Sequence, residues 1–128
     1  MRKVLIALLV LVPFIVTFVT LSSADEKGDA AKGKETFQST CATCHGTDGK
    51  GDGPGAAALN PKPRNLTDAA YMSTQTNKLL FKVISEGGAA AQLSPAMPAW
   101  SGVLSEQDRW NVIAYIRQDL CKCQYKGK

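Results

Sequence analysis

The chain has 128 residues, 45% of them hydrophobic and 20% charged, with a formal net charge of +4. That length is enough for one domain. Without the basic start Arg2 and Lys3, 13 basic residues face 11 acidic ones, and the net charge falls to +2. The remaining basic residues are scattered, whereas nucleic-acid binding needs a strongly basic stripe or patch. The composition therefore indicates one ordinary globular domain and excludes a nucleic-acid partner.

The N-terminal segment 1–24 has the pattern of a signal peptide. A basic start precedes the apolar residues 4–21, and small residues lead up to Ala24. Cleavage after Ala24 would leave a domain of residues 25–128. The alternative is an uncleaved anchor, because about 18 apolar residues can just span a bilayer. Both interpretations predict a periplasmic or otherwise extracytoplasmic domain, soluble after cleavage or tethered by residues 4–21.

The first predicted element of the domain is a helix over residues 29–38. Gly33 lies inside it, where glycine costs roughly 1 kcal/mol relative to alanine. We therefore expect another helix to approach closely at Gly33, with Phe37 filling the space one turn on. Residues 46–66 then contain five glycines and three prolines. That density excludes a continuous helix or central strand and is typical of a functional loop.

Three further helices follow. Thr67 is the predicted N-cap of a short helix, and Thr76 caps a second that stops at Gly87-Gly88. A proline-containing loop precedes the last helix, which begins after Ser105 and presents a broad apolar face. The fold class is thus all-α, with about four helices and two long loops. Its core is thin for a domain of this length and needs something else to pack against.

Two cysteines and the chain's only histidine lie together in Cys41-Ala-Thr-Cys44-His45. Zinc is disfavoured because Cys44 and His45 are adjacent and reach one tetrahedral metal only awkwardly. A thiol oxidoreductase needs this cysteine spacing in a βαβ setting, and no strand pattern precedes Cys41. A Cys41–Cys44 disulfide would close a very short loop, stabilise little, and leave His45 unexplained.

The same spacing is the attachment pattern of c-type haem. Two thiols can add across the two vinyl groups on one porphyrin edge, and the next residue, His45, can then bind the iron. The predicted export agrees with haem attachment, because covalent attachment of haem is made outside the cytoplasm. Burial of a large apolar haem would supply the area that the helices lack, at about 25 cal/mol per Å². Cys41, Cys44 and His45 are therefore predicted to hold one covalent haem c with its iron.

Three stretches resemble class I c-type cytochromes of the small bacterial monohaem type, which includes cytochrome c subunits of cbb-type oxidases. They are residues 33–72 around "CATCHG", "MPAW" at 97–100, and "LSEQDRWNVIAYIR" at 104–117. The resemblance covers about residues 29–120. It implies a cytochrome c fold in which the N- and C-terminal helices cross. Gly33 and Phe37 would then meet the last helix, which contributes Val112 and Tyr115.

The resemblance also implies the second axial ligand of the iron. Met97 lies between two prolines, well after His45 in the chain, and is placed like the axial methionine of the family. Met72 is the alternative, although core packing is its expected role. Histidine and methionine together would fill both axial positions and favour ferrous iron.

Three further residues resemble haem contacts of the family. Pro54 corresponds to the proline whose carbonyl accepts a hydrogen bond from the proximal imidazole. Arg64 and Trp100 correspond to residues that meet the haem propionates. Tyr71 could do the same, and Arg64 could instead be an ordinary solvated loop residue.

Filled axial positions predict an electron carrier rather than an enzyme, because no iron position remains for a substrate. The expected partners are redox-protein donors and acceptors, with a membrane respiratory complex among the candidates. We expect no small-molecule substrate and a monomeric chain. The alternative function is a haem-based sensor or small catalytic haemoprotein in which Met97 dissociates from the iron.

Cys121 and Cys123, at the end of the last helix, are not required by the family pattern. A local disulfide, free or intermolecular thiols, and a metal or partner contact are all open. A second haem is not implied, because no histidine follows them.

Overall fold

The computed structural model describes residues 28–126, so the predicted leader 1–24 and the anchor alternative 4–21 lie outside the described residues. Within residues 28–126 the chain forms five α-helical segments and no β-strand. The all-α prediction is confirmed. None of the helices in this range is long and apolar enough to cross a membrane.

The N-terminal helical path is longer than predicted. Helix α1 spans Ala30–Thr36, a π-helical turn covers Phe37–Cys41, and helix α2 spans Ala42–His45. The Asp29 carboxylate caps the start by accepting from the backbone N–H groups of two first-turn residues. The paired cysteines and the histidine therefore lie on one continuous helical path that directly follows the first helix.

The glycine-rich segment contains one short 3₁₀ turn, Pro54–Ala58, and otherwise no regular structure. Helix α3 spans Ala69–Met72. Its N-cap is Asp68, whose carboxylate accepts from the N–H of Tyr71 at 3.1 Å, so the prediction of Thr67 was wrong by one position. The Thr67 hydroxyl instead donates to the Asn65 side chain at 2.7 Å.

The last two helices begin where the sequence predicts. Helix α4 spans Asn77–Glu86 and is capped by Thr76, and a 3₁₀ turn follows at Gly88–Ala91. Helix α5 spans Glu106–Tyr115 and continues through a π-helical turn, Ile116–Leu120. Ser105 and Asp108 form a reciprocal capping box at its start, which satisfies backbone donors that the helix itself leaves unpaired.

Helices α1 and α5 cross with their backbones in contact. A Cβ built on Gly33 would overlap the backbone carbonyl of Asn111. One turn on, the rings of Phe37 and Tyr115 lie 5.3 Å apart at 56°, the tilted arrangement that aromatic pairs favour. Val112, next to the contact, is 1% exposed. The crossing predicted from the cost of a mid-helix glycine is confirmed.

A second contact joins α4 to α5. The Phe81 ring stacks on Trp110 with centroids 4.3 Å apart, and the Arg109 guanidinium lies 4.7 Å from the centroid of the same Phe81 ring. Arg109 also donates to the hydroxyl of Ser85 on α4. The stacked rings and the cation–π contact hold α4 against α5.

Cys121 and Cys123 form a disulfide with each other, so the structure selects the first of the three predicted alternatives. Both residues are buried. The tail then runs back along the chain, with the Cys123 N–H donating to the Arg117 carbonyl and the Lys126 N–H donating to the Ser73 carbonyl, both at 3.0 Å. The tail is thereby hydrogen-bonded at Lys126 to the segment between α3 and α4.

Candidate haem site

A cavity of about 260 Å³ opens among α2, the glycine-rich loop, α3, α4 and the loop that follows it. Its size is close to the lower end of the range for small-molecule sites, about 300–1,000 Å³. Cys41, Cys44, His45 and Met97 all line it. Much of the rest of the wall is apolar, including Phe37, Leu66, Leu80, Ile84, Val112 and Ile116.

Cys41 and Cys44 are both reduced and half-buried at the cavity wall. Burial, and secondarily the neighbouring Cys44, raise the pKa of the Cys41 thiol to about 11. Reactive thiols of disulfide oxidoreductases have lowered pKa values, so Cys41 does not have that character. The two thiols lie together at the wall of an apolar cavity.

His45 is the last residue of α2 and is held by the later part of the glycine-rich loop. Its Nδ1 lies 3.3 Å from the backbone carbonyl oxygen of Arg64. That bond leaves Nε2 without a hydrogen-bond partner among residues 28–126. Burial lowers the pKa of His45, although the Arg64 contact acts in the opposite direction. A neutral imidazole with one committed nitrogen and one uncommitted nitrogen is suited to binding a metal ion.

The carbonyl partner of His45 is thus Arg64, whereas the sequence predicted Pro54. Pro54 does not line the cavity; it is exposed and begins the 3₁₀ turn. The reason lies in how the loop folds back. The Gly51 N–H donates to the His45 carbonyl at 2.7 Å, and the Leu66 N–H donates to the Gly49 carbonyl at 2.7 Å. These bonds bring the end of the loop against its beginning and set the Arg64 carbonyl beside the imidazole.

Met97 reaches the cavity from a loop that is fixed by backbone hydrogen bonds. The Gly88 N–H donates to the Met97 carbonyl at 3.0 Å, and the Trp100 N–H donates to the Ile84 carbonyl at 2.9 Å. Gly87 allows the close turn with a φ of 85°. A Cβ on Gly88 would overlap the carbonyl of Ser94. The loop therefore holds the thioether at a defined point of the wall.

The other predicted site residues also reach the cavity. Arg64, Tyr71 and Trp100 all line it, and the Arg64 guanidinium lies 4.1 Å from the centroid of the Tyr71 ring. Met72 lines it too, but from the packed end of α3, where it is 1% exposed. Met97 is only half-buried. Both methionines therefore contact the same space, one from the core and one from a loop.

Some residues that line the cavity were not predicted from the sequence. Leu59 and Leu66, the two leucines of a glycine- and proline-rich loop, both line the cavity. Their presence was a signal, because a large apolar side chain in such a loop needs a surface to cover. Leu93 also lines the cavity and is 48% exposed. No residue pattern marked it, since its position depends on the fold of the methionine loop.

The donor set fits a haem of the c type. Two thiols, an imidazole with an uncommitted Nε2 and a thioether surround an apolar space, which matches the ligands that proteins offer to covalent haem. It does not fit zinc. Within residues 28–126 no group of three His, Cys, Asp or Glu side chains could hold a metal ion.

Comparison with known proteins agrees with a haem site of the c type. A model of the family described as "Cytochrome C oxidase, cbb3-type, subunit III" matches residues 28–116, most of the described chain. The chain belongs to this family. It is a c-type cytochrome.

Two relatives and one solved structure illustrate the family. The cytochrome is 36% identical over 91 residues to cytochrome c-554(547) of Halothiobacillus neapolitanus, covering 70% of this chain and 94% of that one. It is 38% identical over 88 residues to the cbb3-type oxidase subunit FixP of Bradyrhizobium diazoefficiens, covering 69% of this chain but 27% of FixP. A reducing HAO-like protein complex of Kuenenia stuttgartiensis contains a chain that matches with a TM-score of 0.58 and 27% identity, over 73% of this chain and 43% of that one.

Proposed function

We propose that this cytochrome carries single electrons between redox proteins outside the cytoplasm. One haem would be attached through thioether bonds to Cys41 and Cys44, with His45 and Met97 as axial ligands of its iron. The observation that carries the proposal is the common cavity. Four side chains with the required chemistry, from two segments far apart in the chain, line one apolar space.

Met97 is preferred to Met72 because of the backbone around each. The Met97 loop is tied on both sides by hydrogen bonds to α4 and to Gly88, so its side chain can be held toward the cavity without being part of a helix. The Met72 carbonyl is bonded to Arg117 and its side chain belongs to the buried core. A methionine in that setting is typical of core packing.

The bound haem would supply an iron that gains and loses one electron. The residues of the chain would orient the ligands, exclude water and set the potential. The His45 ring would be oriented by the Arg64 carbonyl, and the apolar wall would exclude water from the iron. Thioether ligation would raise the reduction potential. With both axial positions filled, electrons would pass through an exposed edge of the haem, and no substrate would bind the iron.

Haem attachment is tested on protein exported by a host that matures c-type cytochromes. We expect the denatured chain to carry the mass of one haem. The Cys41→Ala/Cys44→Ala double variant should lose covalent haem, whereas the matched Cys121→Ser/Cys123→Ser variant should keep it. Haem that dissociates from the wild type on denaturation, or more than one haem per chain, would contradict the proposal.

Axial ligation is tested with a matched pair of variants. Met97→Leu should lose the methionine-to-iron charge-transfer band of the ferric protein, bind carbon monoxide when reduced, and have a lower midpoint potential. Met72→Leu should leave the band and carbon monoxide resistance unchanged. If the two variants exchange these behaviours, Met72 is the ligand. If the wild type already binds carbon monoxide or has peroxidase activity, the sensor or catalytic alternative is favoured.

The location and the partners also belong to the proposal. We expect N-terminal sequencing of the exported protein to begin at Asp25; retention of segment 1–24 in a membrane fraction would favour the anchor.

Lys62 and Arg64 line the cavity and are basic, and no acidic residue of the described chain does so. A redox partner with an acidic docking face is therefore expected, with transfer rates that fall as salt rises. Salt-independent rates would contradict this.

A further inference from the structure

Arg117 is a buried cation at the C-terminal end of the α5 helical path. It is 3% exposed. Its Nε donates to the Asn77 side-chain oxygen at 2.9 Å, and its Nη1 donates to the Met72 carbonyl at 2.7 Å and more weakly to Cys123 Sγ at 3.5 Å. Its Nη2 donates to the Gln75 carbonyl. The guanidinium therefore binds three oxygens, at the end of α3, in the connection that follows and at the start of α4.

None of these acceptors carries a formal charge. Within residues 28–126, no carboxylate forms an ion pair with Arg117. Burial lowers the pKa of Arg117, but a guanidinium stays protonated in proteins. A buried charge without a counter-ion costs several kcal/mol unless polar groups solvate it, and here carbonyl oxygens do so. Among residues 28–126, Arg117 is thus a buried positive charge with no counter-ion.

That charge lies directly behind the wall of the haem cavity. Met72 and Gln75, whose carbonyls accept from Arg117, both line the cavity. Ile116, the residue before Arg117, lines it as well. Two of the residues that accept from the guanidinium are therefore part of the cavity wall. In a poorly screened interior, a unit charge acts on a neighbouring site much more strongly than it would in water.

We propose that Arg117 is a determinant of the reduction potential, and that its uncompensated buried charge raises the potential of the haem. This inference rests on the proposed function, because it needs haem in the cavity. Reduction adds one electron, supplied by a redox partner, and lowers the positive charge at the iron. A fixed positive charge nearby favours that reduced state. Arg117 acts at a distance on the iron and binds neither haem nor substrate.

The inference also gives the C-terminal disulfide a role. Cys123 contacts the guanidinium, and the tail is fastened over the neighbouring segment by the bond from the Lys126 N–H to the Ser73 carbonyl. The disulfide closes a tight turn that holds this tail in place. The tail covers part of Arg117 and so limits the access of water to the charge, and reduced access of water strengthens its field at the cavity.

The test measures midpoint potentials of the haem-loaded protein by spectroelectrochemical titration. Arg117→Gln removes the charge, and we expect the potential to shift to more negative values. Asn77→Asp keeps the acceptor in place but adds a counter-ion to Arg117, so it should shift the potential in the same direction. This second variant decides the test if Arg117→Gln fails to fold or to retain haem. An unchanged potential in whichever of these variants retains haem would overturn the proposal.

Arg109→Gln is the matched control. Arg109 lies on α5, on the same helical path as Arg117, but its partners Ser85, Ser105 and Phe81 do not line the cavity. Its removal should shift the potential less than Arg117→Gln does; an equal shift would refute a specific role of Arg117. The Cys121→Ser/Cys123→Ser variant should shift the potential downward by less than Arg117→Gln. An upward shift would contradict the covering role. Loss of haem from the wild type would instead refute the proposed function, so the two failures are distinguishable.

Discussion

Replacing Gly33 by alanine adds one methyl group at the point where α1 crosses α5. The new Cβ would overlap the carbonyl carbon and oxygen of Asn111 and lie 2.9 Å from the backbone nitrogen of Val112. All three atoms belong to the backbone of α5. They cannot rotate away as a side chain could, so the methyl group can be accommodated only if the two helices move apart.

Two opposing effects set the change in the free energy of unfolding. Alanine is favoured over glycine inside a helix by about 1 kcal/mol. Overpacking of a well-packed core costs about 1–3 kcal/mol, and we take the upper end because the overlapping atoms are backbone. The net destabilisation is then about 2 kcal/mol. For a domain of about 60–100 residues, 1 kcal/mol lowers Tm by about 4–8 °C, so Gly33→Ala should melt about 8–16 °C below the wild type.

The assay is thermal unfolding of the haem-loaded protein followed by circular dichroism, with chemical denaturation as a second measure. Gly102→Ala is the matched control, because a Cβ on Gly102 has nothing within 4 Å. We expect that control to stay within about 0.5 kcal/mol of the wild type. If Gly33→Ala melts at or above the wild-type temperature, the close crossing is not what requires glycine at this position.

Three further variants test the packing of α5, each by its free energy of unfolding. Ser105→Ala removes the N-cap and should cost about 1 kcal/mol; no loss would mean that the cap is dispensable. Asn111→Ala leaves the Asp29 N–H without the acceptor that it has at 2.8 Å, so we expect a loss of about 1–3 kcal/mol, and a neutral result would indicate that water replaces the side chain. Phe81→Leu removes the stack on Trp110 and should lose about 0.5–1.5 kcal/mol beyond burial; equal stability would show that the stack contributes nothing.

The elements that could be predicted from the sequence are those set by local chemistry. Thr76 and Ser105 each have a side-chain oxygen that accepts from a backbone N–H one helical turn on, and such a bond depends only on the neighbouring residues. The crossing at Gly33 could also be predicted, because an unfavourable residue inside a helix pattern requires a compensating contact. The cysteine spacing and the single histidine indicated the haem in the same way, by leaving few other chemistries.

The errors came from contacts between residues distant in sequence or from two equivalent local choices. Thr67 and Asp68 are both good N-caps, and Asn65 decided between them by accepting from the hydroxyl of Thr67. The partner of His45 depends on how the glycine-rich loop folds back on itself, which no local pattern specifies. Arg117 was inside a recognised stretch, but its burial depends on the C-terminal tail and on the segment between α3 and α4, far earlier in the chain.

The cavity explains why so small a domain can contain such long irregular loops. At about 24 cal/mol per Å³, leaving about 260 Å³ unfilled would cost at most about 6 kcal/mol, because that coefficient is for fully enclosed cavities and this one is partly open. Domains of this kind have a total stability of about 5–15 kcal/mol, so the haem-free chain would lose a large part of its stability or collapse around the space. The group that fills the cavity therefore completes the core. The loops do not need secondary structure of their own, because Leu59, Leu66 and Met97 each gain a packing surface when haem is bound.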